Sequence, residues 1–222
     1  MPGYSTRKLN VRIGTRDWKI RALSDKRQYA DPDGEATRAG ICSASWSLFG
    51  QLWPASRALA TAIKHIDIDQ RRFIELGCGL GLPSLVLQSR GADITASDRH
   101  PLSEQFLDYN ASINGLAPLA YVDLPWAPSE SIPSPDIGRF EVIVGSDILY
   151  ERDHAETLAE LVVQLASDNA KVLITCPGRG YRNHFSRLLK SSGFELTETP
   201  MPFEDGEQPP FRGRLLTYRR GV

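Results

Sequence analysis

The chain has 222 residues, 41% of them hydrophobic and 24% charged, with a formal net charge of −1. That length and apolar content suit one sizeable core, expected here as a single domain over residues 1–222 with an N-terminal extension at 1–50 and the main core at 51–222. The near-neutral balance excludes a bulk electrostatic drive toward nucleic acid or a membrane surface. The three cysteines, Cys42, Cys78 and Cys176, are too few and too widely spaced for a zinc cluster or a disulfide framework. They fit free thiols in a reducing cytoplasm. The first residues carry no apolar signal region, and no run reaches the roughly 18 apolar residues of a membrane span.

Leu9–Ile13 and Trp18–Leu23 alternate apolar and polar residues around Gly14-Thr15-Arg16-Asp17, and predict an N-terminal β-hairpin. The basic residues between Arg7 and Arg27 then form a solvated hairpin face. Ala30–Gly40 is polar, contains Asp31-Pro32-Asp33-Gly34, and predicts a loop. Leu52–His65 has helical periodicity, with Pro54 suited to the first turn. From Arg72 onward strands and helices alternate. Strands are predicted at Arg72–Leu76, Asp93–Ser97, Ala120–Asp123, Glu141–Ser146 and Lys171–Cys176, with helices at Pro83–Ser89, Pro101–Asn114, Asp153–Ala166 and Tyr181–Ser191. Apolar runs such as Val142-Ile143-Val144 imply strands covered on both faces, hence a doubly wound α/β sheet. Phe194–Thr199 and Arg214–Arg219, joined by the Pro/Gly-rich segment Pro200–Gly213, predict an antiparallel hairpin at the sheet edge. That segment, with Glu204, Asp205 and Glu207, reads as either a substrate-selecting or a mobile loop.

The segment Phe73-Ile74-Glu75-Leu76-Gly77-Cys78-Gly79-Leu80-Gly81 carries most of the functional information. Three glycines at alternate positions after a strand permit a sharp turn and a close backbone approach to a ligand. Glu75 is an ionisable group in an apolar strand, where an unpaired carboxylate is costly. A dinucleotide fingerprint requires GxGxxG, and neither frame supplies the third glycine, because Leu82 and Ser84 stand there. Asp98 ends the next strand, 17 residues after Gly81, where a carboxylate can accept from both hydroxyls of a ribose; the competing role is a helix cap. Asp123 and Trp126 follow the third strand. Trp126 can pack beneath Pro125–Pro135. The fourth strand ends in Gly145-Ser146-Asp147-Ile148-Leu149-Tyr150, where Asp147 is alternatively a cap and Tyr150 a packing residue.

Glu-x-Gly-x-Gly-x-Gly resembles motif I of the class I S-adenosylmethionine (SAM) methyltransferases. With Asp147-x-x-Tyr150 and Leu52-Trp53-Pro54 ahead of it, Leu52–Leu189 resembles the seven-β-strand protein lysine methyltransferases. The resemblance implies a Rossmann-like seven-stranded sheet in the order 3-2-1-4-5-7-6. It implies SAM contacts from Trp53, Gly77, Cys78, Gly79, Asp98, Trp126 and Ser146, with Glu75 supporting the turn or meeting the SAM ammonium through water. It implies that Asp123 accepts from the exocyclic amine of adenine and that Trp126 packs on its ring. It implies catalytic roles for Asp147, which orients the acceptor amine, and Tyr150, which walls it and stabilises methylated cations. Trp53 is followed by proline where many relatives have aspartate. The expected activity is methyl transfer to a protein lysine ε-amine, leaving S-adenosylhomocysteine (SAH). The alternatives are a small-molecule amine such as a nicotinamide-like ring, or a non-catalytic SAM-binding module. A protein substrate is the expected partner, with no nucleic acid and no membrane, and a monomer is favoured.

Two further groups are ambiguous from sequence. Asn110 and Asn114 read as a polar helix face or, with Gly115, a C-terminal cap. The four histidines share no spacing and read as surface or capping residues, and Arg179 and Arg182 as solvated or as contacts for an acidic protein surface.

Overall fold

The computed structural model describes residues 4–124, 126, 137–150, 154–201 and 210–221. The loop expected at Pro125–Pro135, apart from Trp126, lies outside these residues. So do Asp153, the first residue of a predicted helix, and residues 202–209 of the acidic segment.

The chain opens with β1 (Thr6–Ile13) and β2 (Arg16–Leu23), paired antiparallel from Thr6↔Leu23 to Ile13↔Arg16. The turn is tighter than the sequence suggested. Only Gly14-Thr15 lie outside the ladder, and Gly14 has φ 59°. A left-handed first position matches the twist of a two-residue hairpin, so both strands extend further than their apolar alternation indicates. Trp18, Ile20, Ala22 and Leu23 are buried against the main body. Each large side chain removed from water there contributes about 1.5–3 kcal/mol.

The segment expected to be a loop contains a one-turn helix, α1 (Glu35–Arg38), followed by a 3-10 stretch at Ser43–Leu48. α1 is capped from outside its own sequence. Asp31 accepts from the backbone N–H groups of Ala36 and Thr37 at 2.8 and 2.9 Å, from the Thr37 hydroxyl and from Tyr29 Oη. Four donors explain why the Asp31 carboxyl is held down at about 2 despite its desolvation.

α2 (Pro54–Ile63) then leads into β3 (Arg72–Leu76), α3 (Leu82–Gln88), β4 (Asp93–Asp98), α4 (Ser103–Ile113), β5 (Ala120–Asp123), β6 (Phe140–Ser146), α5 (His154–Leu165), β7 (Ala166–Cys176), α6 (Arg182–Ser191), β8 (Phe194–Pro200) and β9 (Arg214–Arg220). The seven strands form one sheet in the order β5-β4-β3-β6-β7-β9-β8. Counted from β3, this is the 3-2-1-4-5-7-6 order. β3 to β7 run parallel and β9 is antiparallel to both its neighbours. One apolar cluster, including Leu59, Phe73, Leu85 and Phe106, packs α2, α3 and α4 with the hairpin on one face. A second, including Ile74, Ile143, Leu158 and Phe185, packs α5 and α6 on the other. β7 begins at Ala166, which the sequence assigned to the preceding helix, because Ala166 pairs with Phe140 across a register shift.

Asn110 and Asn114 are neither a solvated face nor simply a cap. Asn110 is fully buried, and its Oδ1 accepts from Arg21 N–H at 2.7 Å. Asn114 Oδ1 accepts from Lys19 N–H at 3.0 Å, and its Nδ2 donates to Lys19 O at 2.7 Å. The two amides tie β2 onto α4, a tertiary use that local spacing does not reveal. Asn110 Nδ2 also donates to Leu80 O at 3.0 Å, so the same helix steadies the glycine turn.

Candidate active site

The parallel strands all end on one side of the sheet, and the turns leaving β3, β4 and β6 form the floor of an open cleft there. This is the crevice at a topological switch point, where open α/β sheets bind ligands. The polypeptide ahead of α2 supplies the opposite wall through Phe49, Gln51 and Trp53.

The three glycines of the turn have distinct physical reasons. All have positive φ, at 65°, 53° and 81° for Gly77, Gly79 and Gly81. A Cβ on Gly77 would press on Trp126 and Ile148 at 3.0–3.1 Å, and one on Gly81 would overlap Leu107. A Cβ on Gly79 would meet nothing within 4 Å and would project into open space at the cleft. Gly77 and Gly81 therefore allow close packing, whereas Gly79 leaves backbone exposed to a ligand. The turn is closed by Cys78 N–H donating to Ser97 O at 2.9 Å and Gly81 N–H to Cys78 O at 2.8 Å.

Glu75 is fully buried beneath this turn. Its Oε2 accepts from both the backbone N–H (3.0 Å) and the hydroxyl of Ser84, in the first turn of α3, satisfying an otherwise unpaired helix-end donor. Its Oε1 is buried without a partner. Desolvation outweighs the Ser84 hydrogen bonds and pushes the carboxyl up to about 8. An ordinary unfolded carboxyl titrates near 4.3. Between these values the folded state holds a proton that the unfolded state has released, so this group's contribution to stability falls as pH rises toward 8. Glu75→Gln should remove that slope. The gain in urea midpoint of the variant over the parent is expected to widen steadily from pH 5 to pH 8, and a pH-independent difference would contradict it.

Asp98 sits at the end of β4, facing the cleft. Its Oδ2 accepts from Gly79 N–H at 2.8 Å and its Oδ1 from His100 N–H at 2.9 Å. The carboxylate thus links the glycine turn to the next loop, and each oxygen retains a lone pair for a further donor. α4 begins only at Ser103, so Asp98 is not its cap. Asp123 stands beside Asp98 in the parallel register but is exposed and does not line the cleft. Trp126 is 9% exposed, lines the cleft, and lies edge-on to His154 at 5.4 Å. Trp53 is 37% exposed, with its indole N–H fixed to Leu48 O at 2.8 Å. The cleft therefore gathers Trp53, Gly77, Gly79, Asp98, Trp126, Ser146, Asp147 and Tyr150. Glu75 and Cys78 lie beneath it, and burial raises the Cys78 thiol well above its usual range.

Asp147 follows β6 in a left-handed conformation, with φ 53°. Outside glycine this conformation is uncommon and aspartate is among the residues that tolerate it; it frequently marks functional turns. Its N–H donates to Thr175 O at 2.8 Å, and Thr175 Oγ1 donates to Ala55 O at 2.8 Å, joining β6, β7 and α2. Its carboxylate is gripped by Arg179, Nε to Oδ1 at 2.9 Å and Nη2 to Oδ2 at 2.8 Å. Arg179 is thus partly exposed but paired within the chain, and Arg182 is paired with Glu198 at 3.4 Å. The spacing of 32 residues between Asp147 and Arg179 hid their pairing from the sequence.

His100 was missed. It is 5% exposed, lines the cleft, and stacks on Phe49 with ring centroids 3.7 Å apart. Burial pushes it down to about 3, so it is neutral. Its Nδ1 accepts from Leu102 N–H at 3.2 Å, leaving a buried Nε2 with no protein partner. The position His-Pro two residues after Asp98 was the available signal. The residues present suit a nucleoside joined to an amino acid: a carboxylate for vicinal hydroxyls, apolar rings for a base, and open backbone at Gly79 for the polar chain.

A family model described as lysine methyltransferase matches residues 43–191. Protein N-lysine methyltransferase METTL21A of Danio rerio is 31% identical over 143 residues, covering 60% of this chain and 64% of that protein. The electron transfer flavoprotein beta subunit lysine methyltransferase of Mus musculus is 26% identical over 162 residues, covering 71% of this chain and 59% of that protein. The chain thus aligns with less than two thirds of either relative. Among solved structures, the T. thermophilus 16S rRNA N2 G1207 methyltransferase, in complex with AdoMet and guanosine, superposes with a TM-score of 0.64 at 18% identity. It covers 99% of this chain and 52% of that one, a likeness of fold.

Proposed function

Because the chain belongs to the lysine methyltransferase family, we propose that it transfers a methyl group from SAM to the ε-amine of a protein lysine. The observation that carries this reading is the placement of Asp147 and Tyr150 in the same cleft as Gly79 and Asp98. Asp98 would hold the ribose, Trp126 and the stacked Phe49–His100 pair would flank the adenine, and Gly79 would admit the amino-acid end. Trp53 and Ser146 complete the cleft around the donor, and Asp123 lies outside its lining. Bound SAM supplies an electrophilic methyl carbon on a sulfonium, and everything else falls to the protein.

A lysine amine with an ordinary pKa near 10.4 arrives as an ammonium. The Asp147 carboxylate would receive that cation, fix its position by charge-assisted hydrogen bonds and align the nitrogen after a proton departs to water. Tyr150, whose ring lies 6.2 Å from that of Trp126, would form an aromatic wall suited to a methylated cation. The reading places the protein in the cytoplasm, in keeping with a sparse and widely spaced set of three cysteines. Among the described residues, no helix is long and apolar enough to cross a membrane.

The test is methyl-labelled SAM in a cell lysate, followed by mass spectrometry. Label is expected on lysine in a protein band that a parallel reaction with Asp98→Ala does not label. Label confined to low-mass compounds would instead support the small-molecule amine alternative.

A further inference from the structure

The acceptor carboxylate is already occupied. Asp147 is only 13% exposed, and both its oxygens are taken up by one guanidinium from the chain's own Arg179. On the reading proposed above, that carboxylate is where an acceptor ammonium must bind. The guanidinium and the acceptor cannot both hold it in the same way. We propose that Arg179 is a specificity-determining residue that fills the acceptor-cation position until another cationic side chain displaces it.

The local structure suits displacement. Arg179 follows Gly178, which has φ 98°, and precedes Gly180; at neither glycine would a Cβ meet any atom within 4 Å. The Arg179 carbonyl receives one long backbone hydrogen bond, from Arg182 N–H at 3.3 Å, and the segment from 177 to 181 is exposed. Its side chain is 42% exposed, so the arm reaches its partner from the solvent side. Asp147 is the fixed member of the pair. Its backbone is tied to Thr175, whose hydroxyl is in turn buried against α2.

Exchange of one cation for another preserves charge balance at a largely shielded carboxylate, and an ion pair whose guanidinium is partly exposed is weak enough to open. A neutral acceptor has no such exchange available. A hydroxyl, an amide or a pyridine nitrogen would have to separate the pair and leave Asp147 with a weaker partner. Arg179 therefore selects against neutral acceptors. It also keeps the carboxylate hydrogen-bonded while no substrate is present. The cost to a true acceptor is the reciprocal of the fraction of protein in which Arg179 is open, about twofold to fivefold in apparent affinity for a pair with one partly exposed member.

The test uses the full chain saturated with SAH, with n-butylammonium as the acceptor probe and n-butanol as its neutral counterpart. The Arg179 Nε–H resonance in ¹⁵N spectra is assigned by its loss in Arg179→Gln. Butylammonium is expected to shift or broaden that resonance saturably, while butanol at the same concentration leaves it in place. Arg179→Gln should bind butylammonium about twofold to fivefold more tightly, with SAH affinity unchanged. Saturation by butylammonium with the Arg179 resonance intact, weaker binding by the variant, or no binding to either protein would overturn the exchange. The outcome is separable from that of the lysate labelling. Exchange at Asp147 without lysine labelling would remove the lysine reading alone. Lysine labelling with an undisturbed Arg179 resonance would leave Arg179 as a fixed brace for Asp147.

Discussion

Asp147→Asn is expected to lower kcat/KM for the protein acceptor by about 10²-fold or more, while SAH affinity stays within about twofold. Asparagine also tolerates the left-handed backbone that Asp147 adopts at φ 53°, so the turn and its hydrogen bond to Thr175 O should survive. What is lost is the negative charge. An amide offers one acceptor oxygen and a donor group that repels an ammonium, and a charge-assisted contact becomes a weaker neutral one. A 10²-fold loss corresponds to about 2.7 kcal/mol at the transition state, a reasonable share for a group that both binds and aligns the nucleophile. Single-turnover measurements with labelled SAM, alongside calorimetry with SAH, separate the two effects. Retention of activity within threefold would remove Asp147 from the chemistry; a matching loss of SAH binding would move it to the donor side. Alanine is the poorer probe, because it tolerates the left-handed backbone less well than asparagine does.

Gly81→Ala should cost substantial stability. The added Cβ would overlap Leu107 Cδ1, on a helix held in place by the hairpin, and would sit at φ 81°. The left-handed backbone costs about 1–2 kcal/mol and overpacking about 1–3 kcal/mol more. A loss of roughly 2–5 kcal/mol consumes much of the 5–15 kcal/mol typical of a domain. Urea unfolding should show a correspondingly lower midpoint with an unchanged slope. Gly79→Ala is the contrasting substitution, since it has similar backbone strain but open space around the new methyl. If Gly81→Ala proved no more destabilising than Gly79→Ala, the packing argument would fail.

Most of the sheet was legible because its signals are local. Unbroken apolar runs such as Val142–Val144 report burial on both faces, and the alternation of strands and helices reports parallel connections. The glycine turn and Asp98 were legible for the same reason: their spacing lies within one βαβ unit. What the sequence did not reveal depended on distant partners. Asp31 caps α1 from outside the usual cap position, and Asn110 and Asn114 bind backbone some 90 residues away. His100 acquires its place in the cleft through Phe49 and Tyr29, which arrive from the N-terminal extension. Arg179 reaches Asp147 only because β6 and β7 are neighbours. Pairings made by the fold have no periodicity to betray them.

The two asparagines of α4 show how a helix can meet a strand on the strand's own terms. Positions four apart on a helix are separated by about 6 Å along its axis, and alternate residues of a strand by about 6.6 Å. The two intervals nearly coincide, so Asn110 and Asn114 present amides at the spacing of Arg21 and Lys19, as a neighbouring strand would. The helix acts as a ruler for the hairpin. A slip of β2 by one residue would place both amides opposite outward-facing bonds, and no partial alignment satisfies one while sparing the other. The N-terminal ribbon is thereby indexed to the helix that follows Asp98, and the outer wall of the cleft inherits its alignment from two side-chain amides.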